Sequence, residues 1–187
     1  MKLVAFYQDT PLTHGEYAEH AKRLRAECKA VGMPASIVKR SYGDDYLAIT
    51  RGKPKFMLEQ LDKHGENLVY VDVDSTILKA WDYPQTDVIG WAAKPNGRPY
   101  GHVHYLPNTH STREFLRAWI DILAYWEGGD HSALWLAVKR TGVTWMPLEN
   151  IGTRVRFGIS TNQGTREAKA HLDSIGWTRI VQERLGS

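Results

Sequence analysis

Between residues 3 and 71 short apolar runs alternate with longer amphipathic stretches, and this alternation restricts the fold more than any other feature of the chain. Leu3 to Tyr7 reads as a buried strand, and Asp9 to Thr13 supplies a turn. From Tyr17 to Val31 the apolar positions Tyr17, Ala21, Leu24, Cys28 and Val31 recur at steps of three and four, the period of an amphipathic helix. Thr13 is the expected N-cap with Glu16 in the capping-box position, and Gly32 and Pro34 end the helix. A second strand begins at Ala35. The loop Ser41 to Asp45 leads to the short apolar piece Tyr46 to Thr50, Pro54 opens a helix whose buried side carries Phe56, Leu58 and Leu61, and Gly65 closes it. The next strand starts at Leu68. Strand, helix, strand, helix, strand implies an α/β fold with a mostly parallel sheet covered by helices. Such sheets take ligands beyond the carboxyl ends of their strands.

Further strands are expected in Asp87 to Ala92 and Gly101 to Leu106. Helices are expected over 111–126, with Ser111 and Glu114 as a capping box, and from Asp130 through Val138. A strand-like piece follows at Val155 to Ile159 and a short helix at Thr165 to Ser174. With 187 residues, no internal repeat and no linker, the expectation is a single domain over 1–187. One cysteine, Cys28, excludes an internal disulfide and an all-cysteine zinc site. No stretch reaches the roughly 20 apolar residues of a membrane span. A cytoplasmic protein, monomeric or a small homo-oligomer and without a membrane partner, is the resulting expectation. The balance of 24 basic against 21 acidic residues, without a long like-charge block, points only weakly to a polyanionic partner.

The segment Leu68-Val-Tyr-Val-Asp-Val-Asp-Ser-Thr-Ile77 ends its apolar run with two carboxylates. In this extended segment Asp72 and Asp74 project to one side and Val71 and Val73 to the other, so one hard cation, Mg2+ or Mn2+, could be reached by both acids. The same letters resemble the first motif of haloacid dehalogenase-type phosphatases, with Asp72 as nucleophile, Asp74 as acid and Thr76 as the third element. That family opens with this strand near the amino terminus and needs a later paired acidic motif; neither is met here.

More of the chain resembles a GT-A glycosyltransferase of the nucleotide-diphospho-sugar transferase superfamily. The resemblance rests on the order of Lys53-Pro-Lys-Phe-Met-Leu, Leu68 to Ser75, Asp87-Val-Ile-Gly-Trp, Tyr105-Leu-Pro-Asn-Thr, Phe115-Leu-Arg-Ala-Trp and Gly129-Asp-His-Ser-Ala-Leu. It implies a Rossmann-like sheet and a nucleotide-diphosphate sugar as donor. The resemblance makes 1–76 the nucleotide-binding half and 77–187 the acceptor half, and Asp72, Val73 and Asp74 at the end of the strand would hold Mn2+ or Mg2+, with Asp72 and Asp74 as its ligands, together with the diphosphate and ribose. Phe6, Tyr7 and Gln8 would lie against the base, and Lys53, with Arg51 as a weaker second, would approach the phosphates. Asp130 would face the acceptor or reacting sugar, as base if the reaction inverts, with His131 second. His131 replaces the family's usual glutamine. A third metal ligand is sought in the stretch containing Asn162, with Arg166 as a phosphate contact. His102 and His104 share one strand face and read as sheet-surface or acceptor-cleft residues, and Trp81 and Trp91 as core. So small a form suits a compact genome such as a phage's, acting in the host cytoplasm, where a hydroxymethylated base in DNA is one acceptor. A binding module that holds nucleotides without turnover is the non-enzymatic alternative.

Overall fold

A computed structural model describes residues 1–11, 13–80, 86–93, 99–127 and 130–148 and the backbone of 155–156. A six-stranded sheet forms from β1 (Lys2–Tyr7), β2 (Ala35–Lys39), β3 (Leu68–Val71), β5 (Ile89–Ala93), β6 (Pro99–Leu106) and β7 (Trp145–Pro147), while β4 (Thr76–Ile77) pairs with β8 (Val155–Arg156) apart from it. The order is β2-β1-β3-β6-β5-β7. β1 is parallel to β2 and β3, and β5 to β7, whereas β6 runs antiparallel to both β3 and β5. Five strands therefore point one way and β6 the other. This places the start of β6 beside the carboxyl ends of β1 and β3.

Helices α1 (Glu16–Ala30), α2 (Tyr46–Arg51), α3 (Lys53–His64), α4 (His110–Tyr125) and α5 (Asp130–Thr141) flank the sheet. Alternation along the strands assigns the two faces. Leu3, Ala5, Val69, Val71, Val73, Val103 and Tyr105 pack with Ala21, Leu24 and Cys28 of α1. Val4, Phe6, Leu68, Tyr70 and Trp91 pack with Phe56 of α3, Phe115 and Trp119 of α4 and Leu134 of α5. Trp91 and Trp119 are fully buried, so Trp91 belongs to the core as expected; Trp81 lies outside the described residues. Burial pushes the Cys28 thiol up to about 11, which leaves it inert.

Local signals placed the helices well but misassigned two caps. At α1 the N-cap position is Gly15, in the left-handed region, and the donors of Tyr17 and Ala18 are met by the Asp9 carboxylate at 3.0 and 3.1 Å. Thr13 instead accepts from the Thr10 amide. A carboxylate carried in from the end of β1 satisfies two orphan N–H groups, so no hydroxyl is needed there. At α4 the cap is Thr109, accepting from the Thr112 amide, which starts the helix before the expected Ser111. Tyr46 to Arg51 proves helical, capped by Asp45 through the Ala48 amide. Pro54 opens α3 and Gly65, at φ +62°, ends it, as read from the sequence. Of the strand expected at Val155 to Ile159, Val155–Arg156 forms β8, and its remainder and the helix expected at Thr165 to Ser174 lie outside the described residues.

Candidate active site

A cavity of about 270 Å3 lies beyond the carboxyl ends of β1 and β3 and the start of β6, at the lower end of the roughly 300–1,000 Å3 common for small-ligand sites. Its lining follows the strand order. The end of β1 supplies Phe6, Tyr7 and Gln8, the loop and helix before Lys53 supply Asp44, Asp45, Tyr46, Ile49 and Thr50, the turn after β3 supplies Asp72, Val73 and Asp74, and β6 and α5 supply His102, Asp130 and His131. Tyr17 of α1 completes one wall.

β3 ends at Val71, and Asp72 to Ser75 form a turn closed by the Ser75 amide on the Asp72 carbonyl at 2.9 Å. Asp72 itself still pairs with β6, its amide donating to the His102 carbonyl at 2.8 Å. The expected extended run through Asp74 is thus corrected: the two acids share a turn at the cavity wall, not one strand face. Their environments differ as well. Asp72 carries a resident set of donors, with the Lys53 ammonium at 3.0 Å, the Tyr70 hydroxyl donating at 2.7 Å and His102 Nδ1 at 2.9 Å. Tyr70 reaches Asp72 because positions two apart on a pleated strand share a side.

Lys53 is the centre of this cluster. Its side chain is only 8% exposed, and besides Asp72 it contacts Asp130 Oδ2 at 3.0 Å and the Gly101 carbonyl at 3.4 Å. Lys53 lines the cavity, with its ammonium held between the two carboxylates. Burial alone would raise the Asp72 and Asp130 carboxyls and lower the lysine. The Coulomb attraction of the partners outweighs it and holds both acids below, and the ammonium above, their ordinary values. Asp130 therefore stays ionised and is a weak base. Its backbone is fixed by the Trp119 indole, which donates to the Asp130 carbonyl at 3.1 Å. His131 Nε2 stands 4.0 Å from Asp130 Oδ2, and its ring meets that of His102 edge-on at 5.1 Å between centroids. Gly101 makes this approach possible: a Cβ there would lie 2.4 Å from the His131 ring and 2.9 Å from Asp130 Oδ2.

The other expected residues fall in different places. Tyr7 lines the cavity, with the Arg25 guanidinium over its ring at 5.6 Å to the centroid. Phe6 is wall and core together, packed on Tyr42, Phe56 and Tyr70. Gln8 lines the site but its amide is engaged, accepting from the Tyr42 amide at 2.8 Å and donating to the Gly43 carbonyl, so it fastens the loop before α2. Arg51 is not brought to the cavity: it donates to the Trp126 carbonyl at 2.6 Å, behind α2. Asn162 and Arg166 lie outside the described residues. Sequence reasoning missed Tyr17, Tyr46 and Tyr70 and placed His102 only on the sheet surface or in the acceptor cleft, not beside Asp72; for Tyr70 the period-two offset from Asp72 was an available signal.

The arrangement bears on a metal through its donor set. Among the described residues no group of three or more histidine, cysteine or carboxylate side chains is placed to hold an ion. Asp72 already carries Lys53, Tyr70 and His102 on its oxygens. The lining nevertheless presents five aspartates, Asp44, Asp45, Asp72, Asp74 and Asp130, against one lysine among the described residues. A diphosphate entering such a lining needs a cation with it. Asp74 offers one hard oxygen ligand at the wall, which fits an ion that arrives with phosphate oxygens and retains waters.

No family model and no curated protein matches the sequence. Among solved structures the chain is similar to a glycosyltransferase involved in the glycosylation of the major capsid of PBCV-1. The TM-score is 0.60 at 8% identity, over 92% of this chain and 98% of that one. It also aligns with the catalytic domain of Drosophila β1,4-galactosyltransferase 7 in complex with xylobiose, with TM-score 0.49 and 14% identity over 90% and 79% of the two chains. A mutant of the same Drosophila enzyme, in complex with manganese, UDP-Gal and xylobiose, aligns with TM-score 0.48 and 13% identity over 82% and 68%. At 8% identity the first likeness establishes a shared α/β fold with a mostly parallel sheet between helices.

Proposed function

We propose that the chain is a glycosyltransferase that binds a nucleotide-diphosphate sugar across the ends of β1, β3 and β6 and passes the sugar to a hydroxyl acceptor. The observation that carries this reading is the lining of one cavity, in strand order, by an aromatic end, an acidic turn and the Asp130–His131 pair, on a fold shared with a solved glycosyltransferase. Neighbouring strands lie about 4.8 Å apart, so β1 to β6 spans about 10 Å, the reach from a base across its diphosphate to a sugar. The base lies toward Tyr7 and Tyr17, the diphosphate over the turn, and the sugar toward Asp130 and His131.

In this reading Asp74 would hold Mn2+ or Mg2+ together with the diphosphate, and the ion, when bound, supplies neutralisation of the leaving group's charge. The chain's own residues position the reactants. Asp130, kept anionic by Lys53, accepts hydrogen bonds from sugar or acceptor hydroxyls, and Gln8 holds the loop that walls the nucleotide. For an inverting transfer, His131 is better suited than Asp130 to take the acceptor proton, because a carboxylate stabilised by an ammonium has little affinity for one.

The phosphatase alternative requires a phosphorus atom to approach Asp72, whose two oxygens face Lys53, Tyr70 and His102; this disfavours it. A hydroxymethylated base in DNA gains no support as acceptor, since the described lining is rich in aspartate and repels a phosphate backbone. The test is thermal denaturation with UDP, GDP and dTDP and their sugars, with and without Mn2+. A ligand bound by the native state raises Tm, and the reading expects a nucleotide-dependent rise that Mn2+ enlarges. No rise with any nucleotide would remove it.

A further inference from the structure

The sugar end of the cavity carries a charge arrangement that selects among donors. Lys53 is the one lysine or arginine among the described lining residues, and it is buried at the junction of Asp72, Asp130 and the Gly101 carbonyl. An ammonium has three donors, and three acceptors surround this one. It faces two carboxylates, so the triad keeps an excess of one negative charge. The two imidazoles nearby are turned to the same acids, His102 through Nδ1 at 2.9 Å from Asp72 and His131 through Nε2 at 4.0 Å from Asp130. Asp130 Oδ2 is buried against the Lys53 ammonium at 3.0 Å. A neutral sugar beside the triad adds no charge to this excess; an ionised carboxylate adds its own.

We infer that the donor carries an uncharged sugar and that nucleotide-linked uronic acids are rejected at the Asp72–Lys53–Asp130 triad. The inference rests on the glycosyltransferase reading and deepens it. Selectivity here comes from an unfavourable charge rather than from size.

The experiment compares matched pairs by calorimetric titration of the full chain at pH 8 with Mn2+ present: UDP-glucose with UDP-glucuronate, GDP-mannose with GDP-mannuronate, and dTDP-glucose with dTDP-glucuronate, each beside the free nucleoside diphosphate. For whichever nucleotide binds, the neutral sugar is expected to bind at least about ten-fold more tightly than its uronate. Equal or tighter binding of the uronate overturns the inference and leaves the glycosyltransferase reading standing. If no nucleoside diphosphate or nucleotide sugar binds, both fall. Asp130→Asn, checked for folding by its thermal transition, is expected to narrow the gap within the pair by removing the excess charge. An undiminished gap in a folded Asp130→Asn protein also counts against the triad as its source. The wild-type comparison is decisive if that variant does not fold.

Discussion

His102 and His104 stand two residues apart on β6 and project to the same side of the sheet, yet their surroundings are opposite. His102 is half-buried at the cavity with its Nδ1 on Asp72. His104 is fully buried in a box of Tyr70, Trp91 and Trp119, with ring centroids 6.0, 6.3 and 5.6 Å away, and neither of its nitrogens has a hydrogen-bond partner among the described residues. Burial, reinforced by the Lys53 charge, brings the His104 imidazole down to about 3, so it stays neutral. The polar cluster and the aromatic box are adjacent regions built from one strand. Their difference teaches that the partner supplied from elsewhere in the fold, and not the residue type, determines what a histidine here can do.

The comparison is broken most severely at Lys53, the cation on which the polar region depends. Lys53→Met leaves two partly buried carboxylates facing each other and is expected to destabilise the fold by about 3–5 kcal/mol, measured by urea unfolding at pH 7. The pH dependence has a definite sign. Asp72 and Asp130 have depressed folded-state values, so their contribution is present above the unfolded carboxylate value near ~4 and is lost as pH falls below it. Lys53 has a raised value, so its contribution is present below the unfolded value near ~10 and is lost above it. The cluster is thus fully stabilising between about pH 4 and 10.

A second prediction separates the aromatic box from that cluster. A histidine depressed to about 3 binds fewer protons folded than unfolded, so stability declines as pH falls from the unfolded value near ~6.5. By pH 4 the decline attributable to His104 is on the order of 3 kcal/mol. His104→Phe, which fills the same box without orphan nitrogens, is expected to remove that slope between pH 6.5 and 4 while matching or exceeding wild-type stability at pH 7. Urea midpoints across this range measure it, and an unchanged slope would show that the box is not the acid-sensitive element. The smallest effect is expected at the cavity: His102→Ala, with Lys53 and Tyr70 still on Asp72, should cost about 1 kcal/mol. A loss as large as that of Lys53→Met would mean that the imidazole, not the ammonium, organises the cluster.

How much of this was legible beforehand depended on the range over which each interaction acts. Gly65 and Pro54 bounded α3 through backbone preferences carried by the residues themselves, and the periodicity of Tyr17 to Val31 marked α1. The caps moved because Asp9 and Thr109 compete with Thr13 and Ser111 for the same amides, and the winner depends on how the chain enters the helix. Asp72 was conspicuous as a charge ending an apolar run. Its partners were not, because Lys53 and His102 come from other elements, and a strand pattern does not reveal that β6 inserts antiparallel beside β3.

By itself the sequence determined the α/β alternation, the strands whose carboxyl ends form the site, and the presence of acids there, since period, turn chemistry and burial of apolar side chains are local or additive. Only the tertiary structure decided that Asp72 meets Lys53, Tyr70 and His102, that Asp130 is held as an anion beside the same ammonium, and that of two histidines on one strand only His102 reaches the cavity. Charges interact through space in a medium of low polarity, so their roles follow from which groups the fold brings within about 3–4 Å, and no spacing along the chain encodes that distance.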